Sequence, residues 1–271
     1  MVKVDGRTQI YGIMGSPVTH SLSPAMHNRA FNEMGLNMIY VPFEVTDVAA
    51  ALTGFKTLGV RGISVTIPHK QTVIPLLDSI DPVAAAIGAV NTLVISGDRI
   101  HGLNTDWLGA TRALAQVMEL RGRRILLLGA GGSARAIGFG LREAGAEVLL
   151  ASRTPARGRQ LAADLACEWH DLREISGVRA EALINATSVG MAPEATQSPA
   201  QGLDLSPFRV VMDIVYSPLE TRLLREAATV GCRVVNGLEM LLLQGAAQFE
   251  IWTGKPAPLA AMRDELLRQI K

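Results

Sequence analysis

The stretch Ile125-Leu-Leu-Leu128-Gly129-Ala130-Gly131-Gly132-Ser133-Ala134 decides the fold of the second half of this chain. Its apolar residues predict a buried strand, its glycines a tight turn, and the residues from Ser133 onward a helix. A turn of the form G-x-G-x-x-A between a strand and a helix is typical of dinucleotide-binding sites. Its second glycine lets a pyrophosphate approach the backbone, and the helix N-terminus offers N–H groups. We therefore predict that the cofactor binds at Gly129, Ala130, Gly131, Gly132 and Ser133.

The next predicted strand, 147–151, indicates which dinucleotide binds, because Ser152-Arg153-Thr154 and then Arg157 follow it. Folds that prefer NAD usually have Asp or Glu at the end of this strand, where the carboxylate binds the ribose 2′-hydroxyl. This position holds no acid, and guanidinium groups suit a 2′-phosphate. The alternative is an exposed basic loop that merely precedes a helix. The pattern favours NADP over NAD, with Ser152, Arg153, Thr154 and Arg157 as ligands.

Short apolar runs alternate with helical patterns along the whole chain, which is typical of α/β folds. Strands are predicted at 10–14, 38–41, 62–67, 92–95, 99–103, 124–128, 147–151, 182–185, 210–214 and 233–235, and helices at 24–34, 48–58, 107–118 and 133–144. We predict two domains, residues 1–106 with 238–271 and residues 107–237. The first is an N-terminal α/β substrate domain, and the second is a Rossmann-type doubly wound parallel sheet. We expect the active site in the cleft between them.

Composition excludes several classes of function. The 271 residues include 26 Lys+Arg against 25 Asp+Glu, and only 4% are aromatic. That balance gives no electrostatic footprint for nucleic acid or for an anionic membrane. The sequence shows no secretory signal, and no apolar run approaches the roughly 20 residues of a membrane span. Cys167 and Cys232 lack metal-ligand spacing, as do the histidines, so we expect no metal site and reduced thiols in a cytoplasmic protein.

Four polar clusters of the first domain have no evident packing role. Ser21 and Ser23 lie at the start of a predicted helix, where Ser23 alone is a candidate N-cap. Ser64-Val-Thr66-Ile-Pro-His-Lys70 continues a strand, Asn91 precedes one, and Asp106 is either functional or a helix cap. His69 adjoins Lys70, but neighbours in an extended stretch point to opposite faces, so we do not assign His69 to the site.

Together, these clusters resemble the shikimate dehydrogenase family along nearly the whole chain. The motifs that carry the resemblance occur in the family's order: Ser21-Leu-Ser23-Pro24, Val65-Thr-Ile-Pro-His-Lys70, Gly88-Ala-Val-Asn91-Thr, Asn104-Thr-Asp106, Gly129-Ala-Gly-Gly-Ser-Ala134, Asn185-Ala-Thr-Ser188-Val-Gly190-Met, Asp213-Ile-Val-Tyr216-Ser-Pro218, Gly237-Leu-Glu-Met240 and Gln244. Each motif is weakly specific, but the ordered set is highly specific.

The resemblance implies reversible, NADPH-dependent reduction of the C3 ketone of 3-dehydroshikimate to shikimate. It assigns Lys70 as the acid/base, paired with Asp106, which fits the need to protonate an alkoxide. It also implies that Ser21 and Ser23 bind the substrate carboxylate, and that the remaining pocket residues are Thr66, Asn91, Asp106, Tyr216 and Gln244. Its implied cofactor contacts add Thr187, Ile214 and Gly237.

Two positions depart from the family's pattern. Ser64 stands where many members have Asn in contact with substrate, and Ser152 replaces the usual Asn before Arg153. Ser64 keeps open the alternative of a quinate or quinate/shikimate dehydrogenase that uses NAD. A catalytically silent cofactor-binding regulator is a further alternative, but it would not need Lys70, Asp106 and the paired serines together. We expect a monomer or homodimer.

Overall fold

The computed structural model describes residues 4–270, which form two compact units. The first unit contains the chain up to Thr105 together with Gln244–Gln269, and the second contains Asp106–Leu243 with Ile270. Each unit has a six-stranded sheet. The boundary near the C-terminus falls inside the long helix Gly237–Thr253 rather than at its start.

The first unit is built on a mixed sheet with the strand order β2-β1-β3-β5-β6-β4. Its strands are β1 (Gln9–Gly15), β2 (Met38–Glu44), β3 (Gly62–Val65), β4 (Ser79–Ile80), β5 (Thr92–Ser96) and β6 (Arg99–Leu103), and its first helices are α1 (Ser23–Glu33), α2 (Val48–Thr57) and α3 (Pro82–Ile87). Strands β1, β2 and β3 pair in parallel, whereas β5 is antiparallel to β3 and to β6. The β5–β6 hairpin turns at Gly97, whose φ of +58° favours glycine, as the Gly97-Asp98 pair predicts.

The second unit is a doubly wound parallel sheet. Its strands are β7 (Arg124–Leu128), β8 (Glu147–Ser152), β9 (Glu168–Asp171), β10 (Ala182–Asn185), β11 (Val210–Asp213) and β12 (Arg233–Val235), and its helices are α4 (Asp106–Ala115), α5 (Gly132–Glu143), α6 (Pro155–Asp164) and α7 (Arg222–Thr229). The strand order is β12-β11-β10-β7-β8-β9, and every pairing is parallel. This is the Rossmann order, in which the chain reverses direction across the sheet beside β7.

Burial on both faces explains why the central strand reads as an unbroken apolar run. Ile125 and Leu127 pack in one hydrophobic cluster, and Leu126 and Leu128 pack in another on the opposite face.

The chain then continues with α8 (Gly237–Thr253) and α9 (Leu259–Gln269). No helix within residues 4–270 is both long enough and apolar enough to cross a bilayer.

The structure confirms the two-part α/β fold class, and the predicted strands 124–128, 182–185 and 233–235 occur with those bounds. Strand β3 ends at Val65 rather than at residue 67, before the turn that follows. The short strands β4 and β9 have no apolar alternation, so no sequence signal marks them; each is defined by its pairing with a longer neighbour.

Candidate functional site

The glycine turn after β7 has an open cradle at the start of α5. Gly129 has a φ of +121°, and a side chain there would meet the Ala186 carbonyl at 3.0 Å, so only glycine fits. Gly131, by contrast, has no heavy atom within 4 Å of where a Cβ would lie. Packing within the protein does not explain this second glycine, whereas a ligand lying against the backbone would.

The N-terminus of α5 suits an anionic group. Gly131 is its N-cap, and a glycine has no side chain with which to cap the first-turn N–H groups. Ala134 is fully buried in the core, which brings the helix close to the sheet. First-turn N–H groups and the positive end of the helix dipole are what a pyrophosphate requires, so the residues present fit a dinucleotide.

The loop after β8 differs in one respect from the expectation that Ser152 contacts cofactor. Ser152 is buried, its hydroxyl accepts from Trp169 Nε1 at 3.0 Å, and it donates to the Thr154 carbonyl at 3.3 Å. Its hydrogen-bonding groups are therefore used inside the protein, where they shape the loop. Arg153 and Arg157 are exposed, and within residues 4–270 neither guanidinium has a hydrogen bond or an ion pair.

The neighbouring strand carries an acid that sequence reasoning missed. Asp171, at the end of β9, lies opposite Ser152 in the sheet register. Its carboxylate is held by the Arg173 guanidinium, with contacts of 2.9 and 2.7 Å. These hydrogen bonds hold the pKa of Asp171 well below its ordinary value. The carboxylate is thus already paired with a cation.

A buried polar network closes the ends of β10 and β11. Asn185 Nδ2 donates to Asp213 Oδ1 at 2.8 Å, and the Thr221 hydroxyl donates to Asp213 Oδ2 at 2.7 Å. Burial raises the pKa of Asp213 to about 6, against the hydrogen bonds from Val215 N–H, Thr221 and Asn185. The sequence signal for this network is an Asn and an Asp, each ending an apolar strand.

The predicted contacts Thr187, Ile214 and Gly237 all lie near this network. The Thr187 hydroxyl donates to Asn185 Oδ1 at 2.7 Å and accepts from Val189 N–H at 3.1 Å. Gly237 lies directly against the Ile214 carbonyl, so a side chain at position 237 would clash with backbone. The structure therefore brings Ile214 and Gly237 together, with Thr187 at the end of the adjacent strand.

In the first unit, the serine pair at the start of α1 corrects the expected helix cap. The N-cap residue is Leu22, no side chain makes a cap bond, and Ser23 is the first helical residue. Ser21 Oγ instead accepts from the Ser23 N–H at 3.3 Å. Ser23 is thus not the cap that its position in the sequence suggested, and a capping role does not explain its hydroxyl.

The segment after β3 holds Thr66 and Lys70 on a turn rather than on a strand. Thr66 N–H donates to the Met14 carbonyl at 3.0 Å, and the Lys70 carbonyl accepts from Val90 N–H at 2.7 Å. His69 is buried, with Nε2 at 2.7 Å from the Val45 carbonyl, to which it must donate. The ring of His69 therefore points into the core, and Lys70 is half-buried.

Asn91 is the centre of a buried hydrogen-bonded cluster. Its Oδ1 accepts from the Thr92 hydroxyl at 2.7 Å and from the Thr105 N–H at 2.8 Å, and its Nδ2 donates to Gln244 Oε1 at 3.3 Å. Gln248, one helical turn after Gln244, joins the cluster through Thr92. The structure thus brings together the predicted residues Asn91 and Gln244 and adds Gln248, which sequence reasoning missed.

Two predicted site residues lie in the second unit. Asp106 is the first residue of α4 and is buried, and Tyr216 follows β11 and is half-buried. Within residues 4–270, no group of three or more His, Cys, Asp or Glu side chains is arranged to hold a metal ion.

Comparison with known proteins identifies the family. Residues 13–93 match the shikimate dehydrogenase substrate binding domain, and residues 237–267 match the shikimate 5′-dehydrogenase C-terminal domain. A shikimate dehydrogenase (NADP(+)) of Moorella thermoacetica is 46% identical over 99% of this chain and 96% of its own length. The chain belongs to the shikimate dehydrogenase family.

Solved structures of the shikimate dehydrogenase family share the whole fold. The enzyme of Thermus thermophilus in complex with NADP(H) and shikimate has a TM-score of 0.87 at 38% identity, over 96% of this chain and 99% of that one. A quinate dehydrogenase of Corynebacterium glutamicum in complex with NAD has a TM-score of 0.88 at 29% identity, over 96% and 99%. The quinate enzyme is thus similar in fold but more distant in sequence.

Proposed function

We propose that this protein catalyses the reversible NADP(H)-dependent interconversion of 3-dehydroshikimate and shikimate, a step of aromatic amino acid and chorismate biosynthesis. The observation that carries the proposal is the 46% identity, over nearly the full length, to a relative named shikimate dehydrogenase (NADP(+)). The open cradle at Gly131 and the exposed guanidinium groups of Arg153 and Arg157 support the choice of cofactor.

The first unit binds substrate in this proposal. Ser21 and Ser23 bind the carboxylate, because their hydroxyl groups lie together at a helix N-terminus. The Ser21 oxygen accepts from the Ser23 N–H, and the Ser23 hydroxyl makes no cap bond. Asn91 and Gln244 bind ring hydroxyls through amide groups that the buried cluster holds in place. The remaining proposed ligands are Thr66 of the first unit and Asp106 and Tyr216 of the second.

Lys70 is the proposed acid/base. When bound, NADPH supplies a hydride to the ketone carbon, which leaves a negative charge on the oxygen. The ammonium group at Lys70 Nζ would stabilise that charge and give the oxygen its proton, so that the ketone, one hydride and one proton yield the alcohol. The family resemblance assigns Asp106, with Lys70, to the catalytic residues.

The second unit binds the cofactor. The turn residues Gly129, Ala130, Gly131, Gly132 and Ser133 bind the pyrophosphate at the start of α5. Arg153, Thr154 and Arg157 bind the 2′-phosphate, with Ser152 supporting their loop from inside. Thr187, Ile214 and Gly237 line the nicotinamide end. We further propose a cytoplasmic location, where the free thiols of Cys167 and Cys232 stay reduced.

The hydrogen bonds of Ser64 are directed to residues of the protein. Ser64 is the reason for considering quinate as an alternative substrate, because it replaces an Asn that touches substrate in the family. Its hydroxyl accepts from the Tyr40 hydroxyl at 2.6 Å and donates to Gln248 Oε1 at 2.8 Å. Both bonds point into the protein, so this serine does not offer a new substrate contact.

Steady-state rates with shikimate and quinate, each with NADP and NAD, test the proposal. We expect the highest kcat/KM for shikimate with NADP. It should exceed the values for quinate with NADP and for shikimate with NAD by at least about tenfold, equivalent to about 1.4 kcal/mol. Equal or higher efficiency with quinate or with NAD would contradict it.

A further inference from the structure

We propose that Gln248 is a positioning residue for substrate recognition, which it controls by fixing the amide orientation of Asn91. The inference rests on the proposed function, since it concerns the substrate site of that reaction. In the described contacts, Gln248 touches neither the serine pair Ser21 and Ser23 nor the glycine turn. It acts on Asn91 through Thr92.

The side chain of Gln248 makes three hydrogen bonds inside the first unit. It is 1% exposed, and its Nε2 donates to Thr92 Oγ1 at 2.9 Å and to the Asn91 carbonyl at 3.1 Å. Its Oε1 accepts from Ser64 Oγ at 2.8 Å. Buried amides pair in this way because leaving such groups unpaired costs about 1–3 kcal/mol each.

The directions of these bonds determine how Asn91 is oriented. Because Gln248 donates to the Thr92 oxygen, the single proton of the Thr92 hydroxyl is directed to Asn91 Oδ1, at 2.7 Å. The Asn91 oxygen therefore faces Thr92, and its Nδ2 faces Gln244 Oε1 at 3.3 Å. The Thr105 N–H also donates to Asn91 Oδ1, at 2.8 Å, so a flip of this amide would place donor against donor at both Thr105 and Thr92. Gln248, through Thr92, therefore supplies one of the two constraints on the hydrogen-bonding pattern that Asn91 and Gln244 present.

The other end of Gln248 is anchored in an aromatic layer. The Ser64 hydroxyl that donates to Gln248 itself accepts from the Tyr40 hydroxyl at 2.6 Å. The Tyr40 ring stacks on His27, with centroids 4.5 Å apart and planes 12° apart. Burial lowers the pKa of His27 to about 3, so this ring stays neutral at physiological pH and the anchor does not titrate.

The arrangement explains the serine at position 64. Gln244 and Gln248 are one turn apart on α8 and lie on the same face. Gln248 therefore lies beside the Asn91–Gln244 pair. The short side chain of Ser64 leaves room for Gln248 Oε1. Position 64 then acts on the substrate site through Gln248 rather than by its own contact.

Two isosteric changes test the relay, by which we mean the hydrogen bonds from Gln248 to Thr92 and from Thr92 to Asn91. Thr92→Val removes the hydroxyl group in the middle of the relay, and Gln248→Met removes the amide that donates to it. We expect each to raise the KM for shikimate by about tenfold, with kcat and the KM for NADP little changed, because both states of the reaction lose the same binding contact. Thr92→Ser, which keeps the hydroxyl, should restore the KM to within about twofold of wild type. The double variant should be no worse than either single one, because both break the same relay.

Thr221→Val is the matched control, since Thr221 is a threonine of the second unit that is also buried and hydrogen-bonded. It should lower the melting temperature without moving the KM for shikimate. An unchanged KM in Thr92→Val and Gln248→Met would overturn the proposal, as would an equal rise in Thr92→Ser or Thr221→Val. If Gln248→Met does not fold, the Thr92 pair decides alone. Failure of wild type to oxidise shikimate would instead refute the proposed function.

Discussion

The buried carboxylate Asp213 should make the second unit less stable as pH rises, the reverse of the usual behaviour of a carboxylate in a folded protein. Burial raises its pKa to about 6 from an ordinary 3.8. The folded protein therefore binds more protons than the unfolded chain between those values, and the free energy of unfolding falls as pH rises through this window. A shift of roughly two units corresponds to about 3 kcal/mol.

Asp213→Asn isolates this effect because the amide stays uncharged. The free energy of unfolding of the variant minus that of wild type should rise by about 3 kcal/mol between about pH 3.5 and pH 7. Taking the difference removes groups that both proteins share. His27 is one, since burial lowers its pKa to about 3 and its stabilising contribution is lost as pH falls.

Urea unfolding at a series of pH values measures the difference. A Trp252→Phe background leaves Trp107 and Trp169, both in the second unit, as the fluorescent reporters. Asp204→Asn is the control of opposite sign, because hydrogen bonds from Ser206 lower the pKa of that exposed carboxyl. A flat or declining difference for Asp213→Asn would show that the hydrogen bonds to its carboxylate outweigh burial.

Further substitutions test three parts of the proposed site. Lys70→Ala should lower kcat about 10²–10⁴-fold with a smaller change in the KM for shikimate, and near-normal turnover would refute its proton-transfer role. Ser21→Ala and Ser23→Ala should raise the KM for shikimate more than the KM for NADP. Because Ser23 makes no cap bond, the Ser23→Ala variant should also keep the melting temperature of wild type. A loss of stability with unchanged KM values would contradict the assignment. Arg153→Ala should raise the KM for NADP at least about tenfold and leave the KM for NAD nearly unchanged. Arg159, whose guanidinium stacks on an indole ring, is the control, and Arg159→Ala should not raise the KM for NADP. An undiminished preference for NADP in Arg153→Ala would contradict the assignment of this loop.

The sequence by itself determined the second unit and its cofactor turn, because the signals there are local. A strand buried on both faces is an apolar run, and the strand 124–128 has the bounds that the run predicts. The turn needs glycine at position 129 because the φ of +121° there is a property of the local backbone. The motif order also identified the family, which the comparisons confirm.

Only the tertiary structure decided which way the polar side chains point. The sequence predicts that Ser152 contacts the cofactor and offers Ser23 as a candidate helix cap, yet Ser152 bonds to Trp169 and Ser23 makes no cap bond. A hydroxyl satisfies its hydrogen bonds equally well toward a ligand or toward a neighbour, so residue type alone does not indicate the direction.

The cluster around Asn91 shows the same limit over a longer range. Gln248 donates to Thr92 although 156 positions separate them in the chain. Nothing in the local pattern of an apolar helix marks this glutamine as different from any other polar residue. Its partners are supplied by β3 and β5 only when the helix packs on the sheet, so its role exists only in the folded protein.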